Sequence, residues 1–136
     1  MNRIVFTSLC LSIIFFVGSA FVQAYSLPES IVRGKEVYIT YCQNCHMENG
    51  LGLEGTNPPV AKSDFLKRPV NELILVILKG QEGKVKVNGV IYDTPMLPLD
   101  YMTDEQIADA LNYTRNSFGN KNAIAIQPSQ VKKLRN

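Results

Sequence analysis

Cys42-Gln43-Asn44-Cys45-His46 constrains this chain more than any other stretch. Two cysteines separated by two residues and followed at once by histidine form the attachment pattern for a c-type haem. Each thiol can add across one vinyl group of the porphyrin, and the short spacer sets the reach between the two vinyls. The next residue then turns its imidazole toward the iron. Two other readings of a Cys-x-x-Cys fit poorly. A thioredoxin-like dithiol follows a βαβ pattern, which does not precede the motif, and a zinc site needs a second set of ligands.

The count of ligand residues narrows this further. The chain has three cysteines, and Cys10 falls in the N-terminal apolar stretch, so only Cys42 and Cys45 belong to the exported domain. There is one histidine, His46, so no second histidine can occupy the far side of the iron. With 136 residues, 46% of them hydrophobic, the chain is one ordinary globular domain. A formal charge of +2 gives no reason to expect nucleic acid.

Residues 1–24 read as a signal peptide: Arg3, then an apolar stretch over 4–22, then Val22-Gln23-Ala24 as a small-residue cleavage site before Tyr25. The same stretch is long enough to serve as an uncleaved membrane anchor. On either reading the domain is exported, which puts it in the periplasm.

The exported part reads as helices separated by glycine- and proline-rich loops. Pro28-Glu29-Ser30 opens a first helix with Ile31, Val32, Val37, Tyr38 and Tyr41 as its apolar face. Gly34 within it costs about 1 kcal/mol relative to alanine, a cost with a use where another helix crosses closely. The helix delivers the chain to Cys42. After His46 three glycines mark a loop, and Asn57-Pro58-Pro59 forces an extended segment. The carbonyl of Pro58 or of Pro59 can accept the second ring N–H of His46. A second helix is expected from Pro69 to Leu78, apolar nearly all round and so buried on more than one face. Asn88-Gly89 between Lys84-Val85-Lys86-Val87 and Val90-Ile91-Tyr92 predicts a hairpin. A proline-framed loop holds Met96. The last main helix starts after Thr103, which forms a capping box with Gln106, while Met102 and Ile107 fit a hydrophobic staple. Ile107, Ala110, Leu111 and Tyr113 are its expected buried face, and Gly119 its expected end. Residues 121–136 read as a basic tail that forms a short solvated helix after Pro128.

Of four methionines, Met1 lies in the leader and Met47 adjoins His46, so it cannot reach the opposite face. Met102 has work as the staple. Met96, in a stiff loop with no core pattern, is the preferred second axial ligand. His/Met ligation fills both axial positions and raises the reduction potential, which suits one-electron transfer. The alternative is an open iron acting in gas binding or peroxide chemistry, for which the chain offers no second histidine. No catalytic constellation is visible, so an enzyme is not expected.

These residues resemble a monohaem class I cytochrome c over 31–120. The likeness is carried by Gly34-Lys35-Glu36-Val37-Tyr38 ahead of Cys42-Gln43-Asn44-Cys45-His46, by Pro58-Pro59-Val60-Ala61, and by the helix from Thr103 to Tyr113. Val87-Asn88-Gly89, Tyr92, Met96 and Asn116-Ser117-Phe118-Gly119-Asn120 are similar to small c-type modules that accompany periplasmic oxidoreductases, such as copper nitrite reductases and quinone-dependent dehydrogenases. The resemblance implies an all-α fold with three main helices around one covalent haem c, a small β-hairpin, and a cytochrome domain over 25–120. It implies a close crossing of the first and last helices, with Gly34, Tyr38 and Tyr113 at the contact. It also implies redox proteins as partners: a reductase, a dehydrogenase or a terminal oxidase. The family commonly has Met-Pro at the ligand loop, whereas Leu97 here separates Met96 from Pro98.

Overall fold

The computed structural model describes residues 25–135. The expected signal segment, 1–24, lies outside the described residues. Five helices and one hairpin follow in order: α1 (Leu27–Tyr41), α2 (Gln43–His46), α3 (Val70–Lys79), β1 (Val85–Val87), β2 (Val90–Tyr92), α4 (Asp104–Thr114) and α5 (Pro128–Arg135), with a single 3-10 turn at Phe65–Lys67. No helix among the described residues is long and apolar enough to cross a membrane.

α1 starts one residue before Pro28, because the Ser26 side chain caps the Glu29 N–H. Its buried stripe is Ser30, Gly34 and Tyr38; of the expected apolar face Tyr38 is buried, Ile31, Val37 and Tyr41 are part-buried, and Val32 is exposed. The reason is the crossing partner. α1 packs chiefly on α4, and a Cβ at Gly34 would stand 2.0 Å from the carbonyl oxygen of Asp109 and 2.7 Å from the Cβ of Tyr113. Only small residues fit at such a crossing, so Val37 and Tyr41 turn partly toward the core instead.

The same crossing is pinned by a polar cluster. Asp109, 2% exposed, accepts from Ser30 Oγ (2.5 Å), from the Tyr25 hydroxyl, and from Arg33 through Nε (2.7 Å) and Nη2 (2.9 Å). Asn112 adds a bond to Ser30 Oγ (2.9 Å). These donors satisfy a carboxylate that is taken out of water. The mutual attraction also holds Arg33 well above its ordinary range, the bond to Asp109 being the main cause.

α4 begins as its sequence requires. Thr103 and Gln106 form the capping box, and Met102 and Ile107 are both buried in one core cluster. Two expectations are corrected here. The helix ends at Thr114 and not at Gly119, because polar side chains take over the last carbonyls: Asn116 Nδ2 bonds Asn112 O and Asn120 Nδ2 bonds Thr114 O. The helix is also buried nearly all round, Ala108, Asp109 and Asn112 included, while Tyr113 is half-buried.

A third correction explains that burial. The basic tail is not solvated. Ile126 and Val131 are fully buried, and α5 packs on α3 and α4. Arg135 closes it down through Nε to Asp104 (2.8 Å) and Nη2 to the Met102 carbonyl (2.7 Å). The tail therefore covers the side of α4 that α1 leaves open. β1 and β2 pair antiparallel with Val87 opposite Val90, and Asn88 and Gly89 both take positive φ, as a tight two-residue turn requires.

Candidate haem site

α1 ends into one further turn of helix. The Cys42 N–H bonds Tyr38 O (2.9 Å), while Cys42 O accepts from Cys45 (3.2 Å) and His46 (2.9 Å). α2 thus sets Cys45 and His46 one turn beyond Cys42. Met47 then reverses the chain at φ 63°, and the Tyr38 hydroxyl holds that reversal by donating to Met47 O (2.7 Å). Tyr38 in turn stacks on Tyr113 and Phe118, with centroids 5.5 and 5.1 Å away. The crossing of α1 and α4 is in this way linked directly to the attachment motif.

The loop from Met47 to Pro59 brings one backbone acceptor back to the motif. His46 Nδ1 lies 2.9 Å from Pro58 O. Of the two prolines, Pro58 makes this bond, and Pro59 lines the cavity beside it. The return depends on Gly52, which sequence reading saw only as a loop glycine. Gly52 has φ 65°, and a Cβ there would stand 2.3 Å from Asn57 O and 2.7 Å from Pro58 O. Burial lowers the His46 pKa, partly opposed by the bond to Pro58. The ring is therefore neutral near pH 7. With its proton on Nδ1 for Pro58, Nε2 carries the free lone pair.

Cys42, Cys45, His46, Pro58 and Met96 line one cavity of about 420 Å³. Its walls come from every element around it: Tyr41 of α1, Ile77 of α3, Val87 of the hairpin and Leu111 of α4 are examples. Met96 is fixed from behind. It exchanges two backbone bonds with Gln81, each 2.9 Å, and Leu99 N–H bonds Ile77 O (2.8 Å). The Leu97 insertion is accommodated at the rim, where Leu97 is 75% exposed. Met102 also lines the cavity but is 2% exposed within the core cluster.

The residues fit a covalently attached haem. The volume falls within the range of about 300–1,000 Å³ typical of ligand cavities, and the lining is apolar with few polar groups. The donors are two thiols, a neutral imidazole oriented by a carbonyl, and a thioether. Burial, and next the charge of Cys45, pushes the Cys42 thiol up to about 11. That is the opposite of the lowered pKa by which disulfide oxidoreductases work. Among the described residues, no His, Cys, Asp and Glu side chains gather in a group of three that could hold a metal ion alone.

The cytochrome c family model matches residues 31–117. Cytochrome c-552 of Thermus thermophilus is 33% identical over 124 residues, covering 85% of this chain and 83% of the relative. The cytochrome c subunit of a quinone alcohol dehydrogenase from Gluconobacter oxydans is 28% identical over 110 residues, covering 75% of this chain and 22% of the relative. The chain belongs to the cytochrome c family, as an electron-transfer protein with one covalent haem c and not as an enzyme.

Proposed function

We propose that this protein is an exported one-electron carrier whose haem is joined to Cys42 and Cys45 by thioether bonds and closed axially by His46 and Met96. The observation that carries this is the convergence of all four side chains on one apolar cavity, with His46 and Met96 each fixed by backbone hydrogen bonds. The bound haem supplies an iron that gains and loses one electron.

The chain's own groups set how it does so. Pro58 O holds the Nδ1 proton of His46 and makes Nε2 a stronger donor. Met96 offers a soft thioether, which favours the reduced iron and raises the potential. Were His46 and Met96 both to hold the iron, oxygen and peroxide would find no vacant site, and the chain has no second histidine to assist their chemistry. Gly34, Tyr38 and Tyr113 hold the crossing that carries the motif.

A redox protein is the proposed partner, in the periplasm or at its membrane. Support comes from the relatives that are cytochrome c subunits of quinone alcohol dehydrogenases. The test is spectroscopic. The holoprotein is expected to be low-spin with a methionine–iron charge-transfer band that is lost in Met96→Ala and kept in Met102→Ala. Loss in Met102→Ala and retention in Met96→Ala would overturn the ligand assignment.

A further inference from the structure

A second, smaller cavity of about 170 Å³ lies beside the haem cavity, and Ser63 and Leu66 belong to both. Its charged lining is entirely cationic: Lys62, Lys67, Arg115 and Lys121. None of the four has a carboxylate within salt-bridge distance among the described residues.

Arg115 is the unusual member. It is 6% exposed, its Nη1 makes one long bond to Ile124 O (3.2 Å), and its buried Nε has no hydrogen-bond partner. A buried guanidinium with idle donors is costly unless an anion meets it. Burial also lowers its pKa, for the same physical reason.

The surroundings are firmly built. Asn120 has its amide committed to Val60 O, Thr114 O and the Ser63 N–H, so it fixes the cavity wall and asks nothing of a ligand. Lys62 lies with its stem across Gly119, and its N–H bonds Phe118 O (3.1 Å).

We propose that this cavity is an oxyanion site, in which Arg115 forms charge-assisted bonds to a carboxylate or phosphate and Lys62, Lys67 and Lys121 complete the field. Two sources offer that chemistry. One is a haem propionate reaching past Ser63 and Leu66, and the other is a free oxyanion from solvent.

The test uses the holoprotein in a low-salt buffer free of oxyanions. Inorganic phosphate is titrated against wild type, Arg115→Gln, Lys62→Gln and Lys121→Gln by amide NMR, with chloride at matched ionic strength as control. The reduction potential and the propionate methylene resonances of each variant are recorded as well. Saturable phosphate shifts around 115–122, weakened roughly tenfold or more by Arg115→Gln, establish a free oxyanion. No phosphate binding, together with displaced methylene resonances and a lower potential in Arg115→Gln, establishes a propionate. Lys62 and Lys121 are exposed, so their variants decide the matter if Arg115→Gln does not fold. Variants that leave both the phosphate response and the haem signals as in wild type overturn the proposal.

Discussion

Gly34 of α1 and Asp109 of α4 approach so closely that the Asp109 carbonyl oxygen occupies the space of an absent methyl group, 2.0 Å from where a Cβ would be. Alanine at 34 gains about 1 kcal/mol of helix propensity but forces two helix backbones apart. The overpacking cost of about 1–3 kcal/mol is then a lower bound, because the clash is with backbone. Gly34→Ala is expected to lose about 1 kcal/mol net or more in denaturant unfolding of the holoprotein.

Gly52 carries a second such approach, and in the proposed ligation its effect reaches the iron. Gly52→Ala strains a positive φ and pushes on Asn57 O and Pro58 O. Moving Pro58 O lengthens the bond to His46 Nδ1 and weakens the imidazole as a donor. A weaker donor stabilises the oxidised iron less, so the reduction potential is expected to rise in a redox titration. Stability falls as well.

The motif, the capping box and the hairpin turn were legible because each is a local code: ligand spacing, a Thr/Gln pair three residues apart, Asn-Gly between branched residues. The mid-helix Gly34 hinted at a close crossing, but its partner helix and the aromatics at the contact came only through the resemblance. The resemblance did not reveal Asp109, whose partners Tyr25, Ser30 and Arg33 lie about eighty positions away in sequence. The role of Gly52 was invisible for a related reason. Nothing local shows which carbonyl a loop glycine must let pass. The tail misled because its lysines and arginine outnumber the two residues, Ile126 and Val131, that anchor it.

α5 is therefore expected to matter more than its charge suggests. Ending the chain at Gln127 removes buried Val131, part-buried Leu134 and the Arg135 bonds to Asp104 and Met102 O. Burial of the two apolar side chains alone is worth about 3–5 kcal/mol. A fall of that size in unfolding free energy is expected, with the α4 surface exposed to hydrogen exchange.

Asp109→Ala leaves the Ser30 and Tyr25 hydroxyls without their carboxylate acceptor and Arg33 with only the longer contact to Glu105 (3.5 Å). The expected loss is about 2–4 kcal/mol. Arg33 is part exposed and can turn to water, so its share of that loss is small. Urea unfolding of the holoprotein checks it.

Tyr38 gives a dependence on pH. Burial, above all, raises its pKa over the ordinary 10.0. The folded state thus keeps a proton that the unfolded chain releases. Its contribution is complete below about pH 10 and is lost as pH rises from there toward the folded value. Tyr38→Phe is expected to forfeit about 1 kcal/mol at neutral pH, from the bond to Met47 O, and to flatten the alkaline fall in Tm.

The reciprocal pair of backbone hydrogen bonds between Gln81 and Met96 makes the ligand loop a fixed antiparallel rung rather than a free length of chain. In the proposed ligation, a thioether hung from such a rung has little room to follow the iron as its charge changes. The nuclear rearrangement that accompanies each electron would then be small, leaving the speed of exchange to the distance between the two redox centres.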